Sequence, residues 1–228
     1  LEFRRVLFRS PRVKVTFNLV PSLLVQLEAF AAEQARDRHL EIGLKPADQL
    51  TDEERGFAID NFFHAHRPRM IDPYPRYREL LERRGAAGHG GALSGHAQLA
   101  QFSVADLRDL QVWHKLAWVD AYYFERDSRV QALVAQGRDY SEADKQRLRE
   151  IELEILRKTV PEYRDAVARG QVEVSTSPFY HPILPLLCDT DVYLRTHPQS
   201  RMPRARFSHP EDALDQLTRA ADLHERLF

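Results

Sequence analysis

Residues 171–188, QVEVSTSPFYHPILPLLC, gather side chains suited to holding a polar ligand. Along a strand, alternate residues share a face, so Gln171, Glu173, Ser175 and Ser177 lie together, opposite Val172, Val174 and Thr176. Two readings of that polar face stand: the interior of a barrel that holds a polar ligand, or the outer face of a solvent-exposed edge strand. Tyr180 and His181 follow at the strand exit. Pro178 and Pro182 stiffen the chain there, so His181 is expected in a rigid turn rather than on a mobile loop. Pre-organisation of that kind suits a residue that hydrogen-bonds a substrate.

Other constellations point to less. His64 and His66 stand two apart near an expected helix end, and residues two apart do not share a helix face. Neither they nor His89, His96, His197 and His209 match a zinc-binding spacing, so no metal and no cofactor is expected. Ser175, Ser177 and His181 lack the G-x-S-x-G elbow that would mark a serine nucleophile. Arg67, Arg69, Arg76, Arg78, Arg83 and Arg84 form a basic run flanked by Tyr74 and Tyr77, read as a solvated helix face, with a phosphate or acidic partner as the alternative.

These side chains need elements to position them. VKVTFN (13–18) alternates as a strand, with Val13, Val15 and Phe17 on its apolar face. Pro21 then suits a first helical turn, and Leu23, Leu24, Leu27 and Phe30 come after it at helical spacing. Thr51 with Glu54, Ser103 with Asp106, Ser141 with Asp144 and Ser208 with Glu211 fit the capping-box pattern. The helix opening near 103 carries an apolar stripe through Val119, and its tryptophans, Trp113 and Trp118, are expected in the core. A long charged helix spans 141–169, to be kinked or split by Pro161 and ended by Gly170. Residues 85–100, GAAGHGGALSGHAQLA, read as a flexible loop. Two strands about 150 residues apart, with helix between, predict an α/β fold with large helical insertions.

Composition narrows the classes. The chain has 228 residues, 43% hydrophobic and 29% charged, with a formal net charge of −1. That balance offers no electrostatic case for nucleic acid or an anionic membrane. No apolar run reaches the roughly 18–20 residues that span a bilayer. A single cysteine, Cys188, excludes an intrachain disulfide and fits a reducing, cytoplasmic setting. Residues 1–10, LEFRRVLFRS, fit no period and are read as a non-native leader.

Taken together, GQVEVSTSPFYHPILPLLCD, VTFNLVPSLLVQLE, FSVADLRDLQVWHKLAWVD and RFSHPEDALDQL resemble stretches of glycoside hydrolase family 57, in unbroken order from about Pro11 to Phe228. The resemblance implies part of an incomplete, seven-stranded (β/α) barrel over residues 11–228, from a retaining enzyme on α-glucans: an amylase, a 4-α-glucanotransferase or a branching enzyme. It places His181 near the sugar at the cleavage point and makes Glu173 an orienting carboxylate. Ser175, Ser177 and Tyr180 complete the expected substrate-binding set. Retaining chemistry needs two carboxylates roughly 5–5.5 Å apart. The resemblance puts both the nucleophilic glutamate and the acid/base aspartate after residue 228, and an opening His-x-Pro motif before Pro11. No catalytic residue is therefore expected in this chain, and it is expected to hydrolyse no glucan by itself. Alternatives are a non-catalytic carbohydrate-binding or regulatory relative, and a related barrel deacetylase or mannosidase-like hydrolase. The Asp/His metal set of the latter is not visible.

Overall fold

The alternation at 13–18 and 171–177 resolves into two short strands that pair in parallel. The computed structural model describes residues 13–85 and 99–228. In chain order the elements begin with β1 (Val15–Leu19), α1 (Pro21–Ala31), α2 (Arg38–Leu44), α3 (Asp52–Asn61) and α4 (Pro75–Arg84). They continue with α5 (Val104–Leu116), α6 (Ala121–Arg126), α7 (Ser128–Gln136) and α8 (Glu142–Ala168). Last come β2 (Val172–Thr176), α9 (Leu184–Cys188) and α10 (Pro210–Leu227). This is a mostly helical chain with a small parallel sheet, consistent with an α/β fold. It divides into two units, Leu1–Ala35 with Glu154–Phe228, and Arg36–Leu153. The expected leader at 1–10 and most of the expected loop at 85–100 lie outside the described residues.

In the first unit, β1 and β2 pair from Val15 with Val172 to Leu19 with Thr176. Beneath them a core forms from Leu24, Val160, Phe179, Leu223 and Leu227, with Leu19, Leu27 and Phe228 packed against it. Phe17 meets Tyr163 edge to face at 5.3 Å. Helix α8 runs unbroken through Pro161, where the sequence predicted a kink or a split. It ends as expected at Gly170, whose φ of 65° is the left-handed conformation glycine tolerates best. The Gln171 amide donates to the Ala166 carbonyl and the Gly170 amide to that of Val167, the paired bonds of a Schellman cap. That cap turns the chain directly into β2.

Most helices of the second unit are started by side-chain caps. Thr51 with Glu54 and Ser103 with Asp106 form complete capping boxes, and Ser141 with Asp144 exchanges the same pair of bonds. Ser208 and Glu211, in the first unit, do not, because Pro210 takes the first helical position and moves the cap to His209. Ser208 Oγ donates to the Cys188 carbonyl instead.

Helix α5 is buried along most of its length, and charged groups enter this core with it. Arg76 is only 6% exposed, so one member of the expected solvated arginine run is an interior residue. Its guanidinium donates to Asp109 at 2.7 Å and to Asp106 at 2.6 Å. Asp109 also accepts from the Tyr140 amide at 3.0 Å. Burial works to raise the Asp106 pKa, but hydrogen bonds from Ser103 and Arg76 outweigh it and hold the carboxyl below its usual range. Lys145 is likewise buried, with its ammonium donating to Gln111 Oε1 at 2.8 Å and the Lys45 carbonyl at 2.7 Å, and paired with Glu142 at 2.8 Å. Three donors meet three acceptors.

Trp113 sits in the core, its Nε1 donating to the Gly137 carbonyl. Trp118 corrects the sequence expectation: it is 64% exposed, because α5 ends at Leu116 and the helical stripe does not extend past that point. His114 is buried and stacks on Phe62 at 3.7 Å, and its two ring nitrogens make no hydrogen bond of good geometry. Gly43 permits this fit, since a Cβ there would lie 3.1 Å from His114 Cε1.

Two outcomes are expected for stability. Removing Asp109 (Asp109→Ala) takes from buried Arg76 one of its three carboxylate partners, leaving Asp106 and Glu79, and should cost about 3–5 kcal/mol in denaturant unfolding. Glu53→Ala, which breaks only the exposed Arg38 pair, should leave the midpoint unmoved. The second outcome concerns pH. Burial first, then the Lys115 charge, push the His114 pKa well below its ordinary value of 6.5. The unfolded chain therefore binds a proton there that the folded chain refuses. Stability is fully present above about pH 6.5 and is lost as pH falls below it. Melting temperature measured from pH 7.5 to 5 should fall in the wild type and fall less in His114→Phe.

Candidate functional site

The polar face of the sheet is a ladder of side chains contributed by both strands. Parallel pairing sets Thr16 beside Glu173 and Asn18 beside Ser175. Thr16 Oγ1 donates to Glu173 Oε2 at 2.9 Å, and Asn18 Nδ2 donates to Ser175 Oγ at 3.2 Å. Ser177 Oγ donates to Asn18 Oδ1 at 2.7 Å. Asn18 thus bridges two serines of the other strand, using one amide hydrogen and its carbonyl. The second amide hydrogen lies outside these two bonds. Glu173, Thr16 and Asn18 are exposed, Ser175 is half-buried and Ser177 is buried. Glu173 is the one carboxylate carried by this strand face.

Beyond Thr176 the chain turns at once. The His181 amide donates to the Pro178 carbonyl at 2.7 Å, closing a tight turn over residues 178–181. His181 closes it with φ at 57°, a conformation non-glycine residues seldom adopt. The turn is anchored from both sides. The Phe179 carbonyl accepts from the Ser22 amide at the start of α1, while the Phe179 amide donates to the Gln216 carbonyl of α10. Gln216 Oε1 accepts from the Tyr180 amide at 3.0 Å. The Arg219 guanidinium lies 4.0 Å above the Phe179 ring and 5.3 Å from that of Tyr180. Phe179 is buried, whereas Tyr180 and His181 are exposed.

Of the five residues expected to bind substrate, Glu173, Ser175 and Ser177 share one hydrogen-bonded face. Tyr180 and His181 lie in the turn that leaves it. Tyr180 is engaged by Gln216 and Arg219 of α10 rather than by that face. Thr16 and Asn18 belong to the face as fully as Glu173 does, although neither is among the five residues expected from the sequence. The signal was there in VTFN, whose polar alternation mirrors QVEVSTS. Among the described residues, no three or more of His, Cys, Asp and Glu are gathered so as to hold a metal ion.

A model of glycosyl hydrolase family 57 matches residues 62–228, a span that includes β2, the 178–181 turn and α10. The chain belongs to glycosyl hydrolase family 57. No curated protein and no solved structure matches it. At the level of the family, membership supports a glycoside hydrolase or transglycosidase, and it implies a carbohydrate substrate. A face of hydroxyl, amide and carboxylate groups is chemically suited to sugar hydroxyls, each of which both donates and accepts.

The left-handed His181 provides a separable outcome. Glycine adopts that conformation freely, while another side chain is destabilised there by about 1 kcal/mol. Replacing His181 by Gly should therefore hold or raise the melting temperature. His181→Val should lower it, since a β-branched residue fits the conformation worst.

Proposed function

We propose that the chain carries the sugar-positioning wall of a retaining α-glucan hydrolase or transglycosidase, and not its catalytic pair. One observation supports the reading most: the Thr16–Glu173 and Asn18–Ser175–Ser177 ladder on a single strand face, followed immediately by a rigid turn presenting His181. A pre-formed row of donors and acceptors needs little reordering when a sugar binds, and so favours affinity. On this reading Asn18, Ser175 and Ser177 orient hydroxyls, and His181 hydrogen-bonds the sugar at the cleavage point. Glu173 acts as an acceptor that orients.

A retaining mechanism requires a second carboxylate roughly 5–5.5 Å from the first. The strand face offers Glu173 alone, its carboxylate already tied to Thr16. The parallel β1–β2 pair is read as two neighbouring strands of an incomplete, seven-stranded (β/α) barrel, with residues 11–228 forming part of the catalytic domain. The helices of residues 36–153 are then an insertion between them. In barrels of this kind the site lies past the C-terminal strand ends, where β2 delivers Ser177 and His181. A reducing, cytoplasmic setting accords with Cys188 as a lone cysteine. Among the described residues no helix is long and apolar enough to cross a membrane.

Calorimetric titration of the 228-residue chain with maltohexaose tests the reading. Binding should weaken at least tenfold in Asn18→Ala and in His181→Gly, the second without loss of stability, and no reducing ends should appear. Turnover of maltohexaose that disappears in Glu173→Gln would instead make Glu173 a catalytic group and overturn the positioning role.

A further inference from the structure

Helix α5 buries nearly every residue from Asp106 to Ala117, including Trp113 at 1% exposure. One residue later the pattern reverses, and Trp118 stands 64% exposed. The reversal is fixed by the backbone. The Trp118 amide donates to the Lys115 carbonyl and the Val119 amide to that of Leu116, a tightened last turn that carries the indole off the buried face. The chain then enters α6 with Asp120, Ala121 and Tyr122 all exposed, Tyr122 at 48%. The Arg126 guanidinium lies 4.4 Å from the centre of the Tyr122 ring and steadies it from one side. Two large aromatic side chains are thus presented to solvent within five residues. Both are rigid, having only two side-chain torsions to freeze on binding.

We propose that Trp118 and Tyr122 form a saccharide-stacking subsite on the helical unit, which takes the C–H face of a glucose ring in an α-glucan chain. The proposal rests on the carbohydrate reading of the strand face. The chemistry of the segment selects this occupant. Residues 117–126 carry two acids, Asp120 and Glu125, against one base, Arg126. An aromatic platform for single-stranded nucleic acid needs a positive groove along the backbone, and this segment is not positive. A membrane-seating segment combines its aromatics with a basic face, which is also missing. A pyranose ring is neutral, with an apolar C–H patch that covers an indole and hydroxyls at its rim. The Tyr122 hydroxyl and the Arg126 guanidinium supply hydrogen-bonding groups of the kind that rim requires.

The chain has two tryptophans, and Trp113 is enclosed in the core out of a ligand's reach, so a sugar-induced change in emission reports on Trp118. Full-length chain is titrated with maltohexaose and, separately, with cellohexaose, by tryptophan fluorescence and by calorimetry together. Maltohexaose should shift and quench the emission of the wild type, and that response should vanish in Trp118→Phe. In calorimetry, Trp118→Ala should lose one of two maltohexaose-binding events and keep the strand-face one, with Trp118→Phe weakening that event in part and all melting temperatures alike. Tyr122→Ala should weaken binding without removing the fluorescence response. If calorimetry records binding while the emission is unmoved and Trp118→Ala binds as the wild type does, this subsite is overturned and the strand-face reading stands. If neither oligosaccharide binds the wild type by either method, both fall. A response equal for cellohexaose and maltohexaose would overturn the assignment to α-glucan.

Discussion

The parallel pairing of β1 with β2 is the interaction on which the candidate site depends. It joins residues 157 positions apart, and its register decides which side chains meet. A slip of one residue would move Asn18 and Thr16 to the opposite face, away from Ser175 and Glu173. The pairing is held by the apolar side of the same strands, where Phe17 packs on Tyr163 and Leu19 joins the Leu24, Val160 and Phe179 core. Closing so long a loop is not prohibitive, because its entropic cost grows only logarithmically with length. The hydrophobic face thus fixes the register, and the register assembles the polar one.

Two further devices aim the end of β2. The Schellman cap at Gly170 sets where the strand begins, and the Phe179 anchors to α1 and α10 set where its exit turn lies. Between them His181 is held left-handed, a strained choice that glycine would relieve. Strain retained at the C-terminal end of a strand, beside a face of ordered polar groups, accords with a side chain kept for contact with a ligand. The second unit solves a different problem. It buries Arg76, Asp106, Asp109, Lys145 and His114, and all but His114 are matched by partners within hydrogen-bond reach. Such a core is specific in geometry and sensitive to acid.

Much of this was legible in the residues. Both strands, the capping boxes at Thr51, Ser103 and Ser141 and the Gly170 stop are local signals, and local chemistry produced them. What sequence periodicity missed was set by tertiary context. Asn18 and Thr16 gain their meaning only when a strand far along the chain pairs beside them. Arg76 looked like its neighbours in an arginine run, but only its position faces both Asp106 and Asp109 of α5. Extending the helical period beyond Leu116 puts Trp118 in the core, but the helix stops there. Pro161 predicts a kink or a break, yet α8 runs through it. Ser208 matched a capping pattern that Pro210 displaced by one residue.

The central claim is that the side chains joined across β1 and β2 contact a sugar. Its most direct measurement is the pair of side-chain amide resonances of Asn18 in a nitrogen–proton correlation spectrum, monitored during titration with maltohexaose. The buried Gln111 amide, bonded to the Ile42 and Lys45 carbonyls, serves as an internal reference. The account predicts that the Asn18 signals move with saturation while those of Gln111 stay in place. Saturable binding that leaves the Asn18 signals unmoved would contradict it.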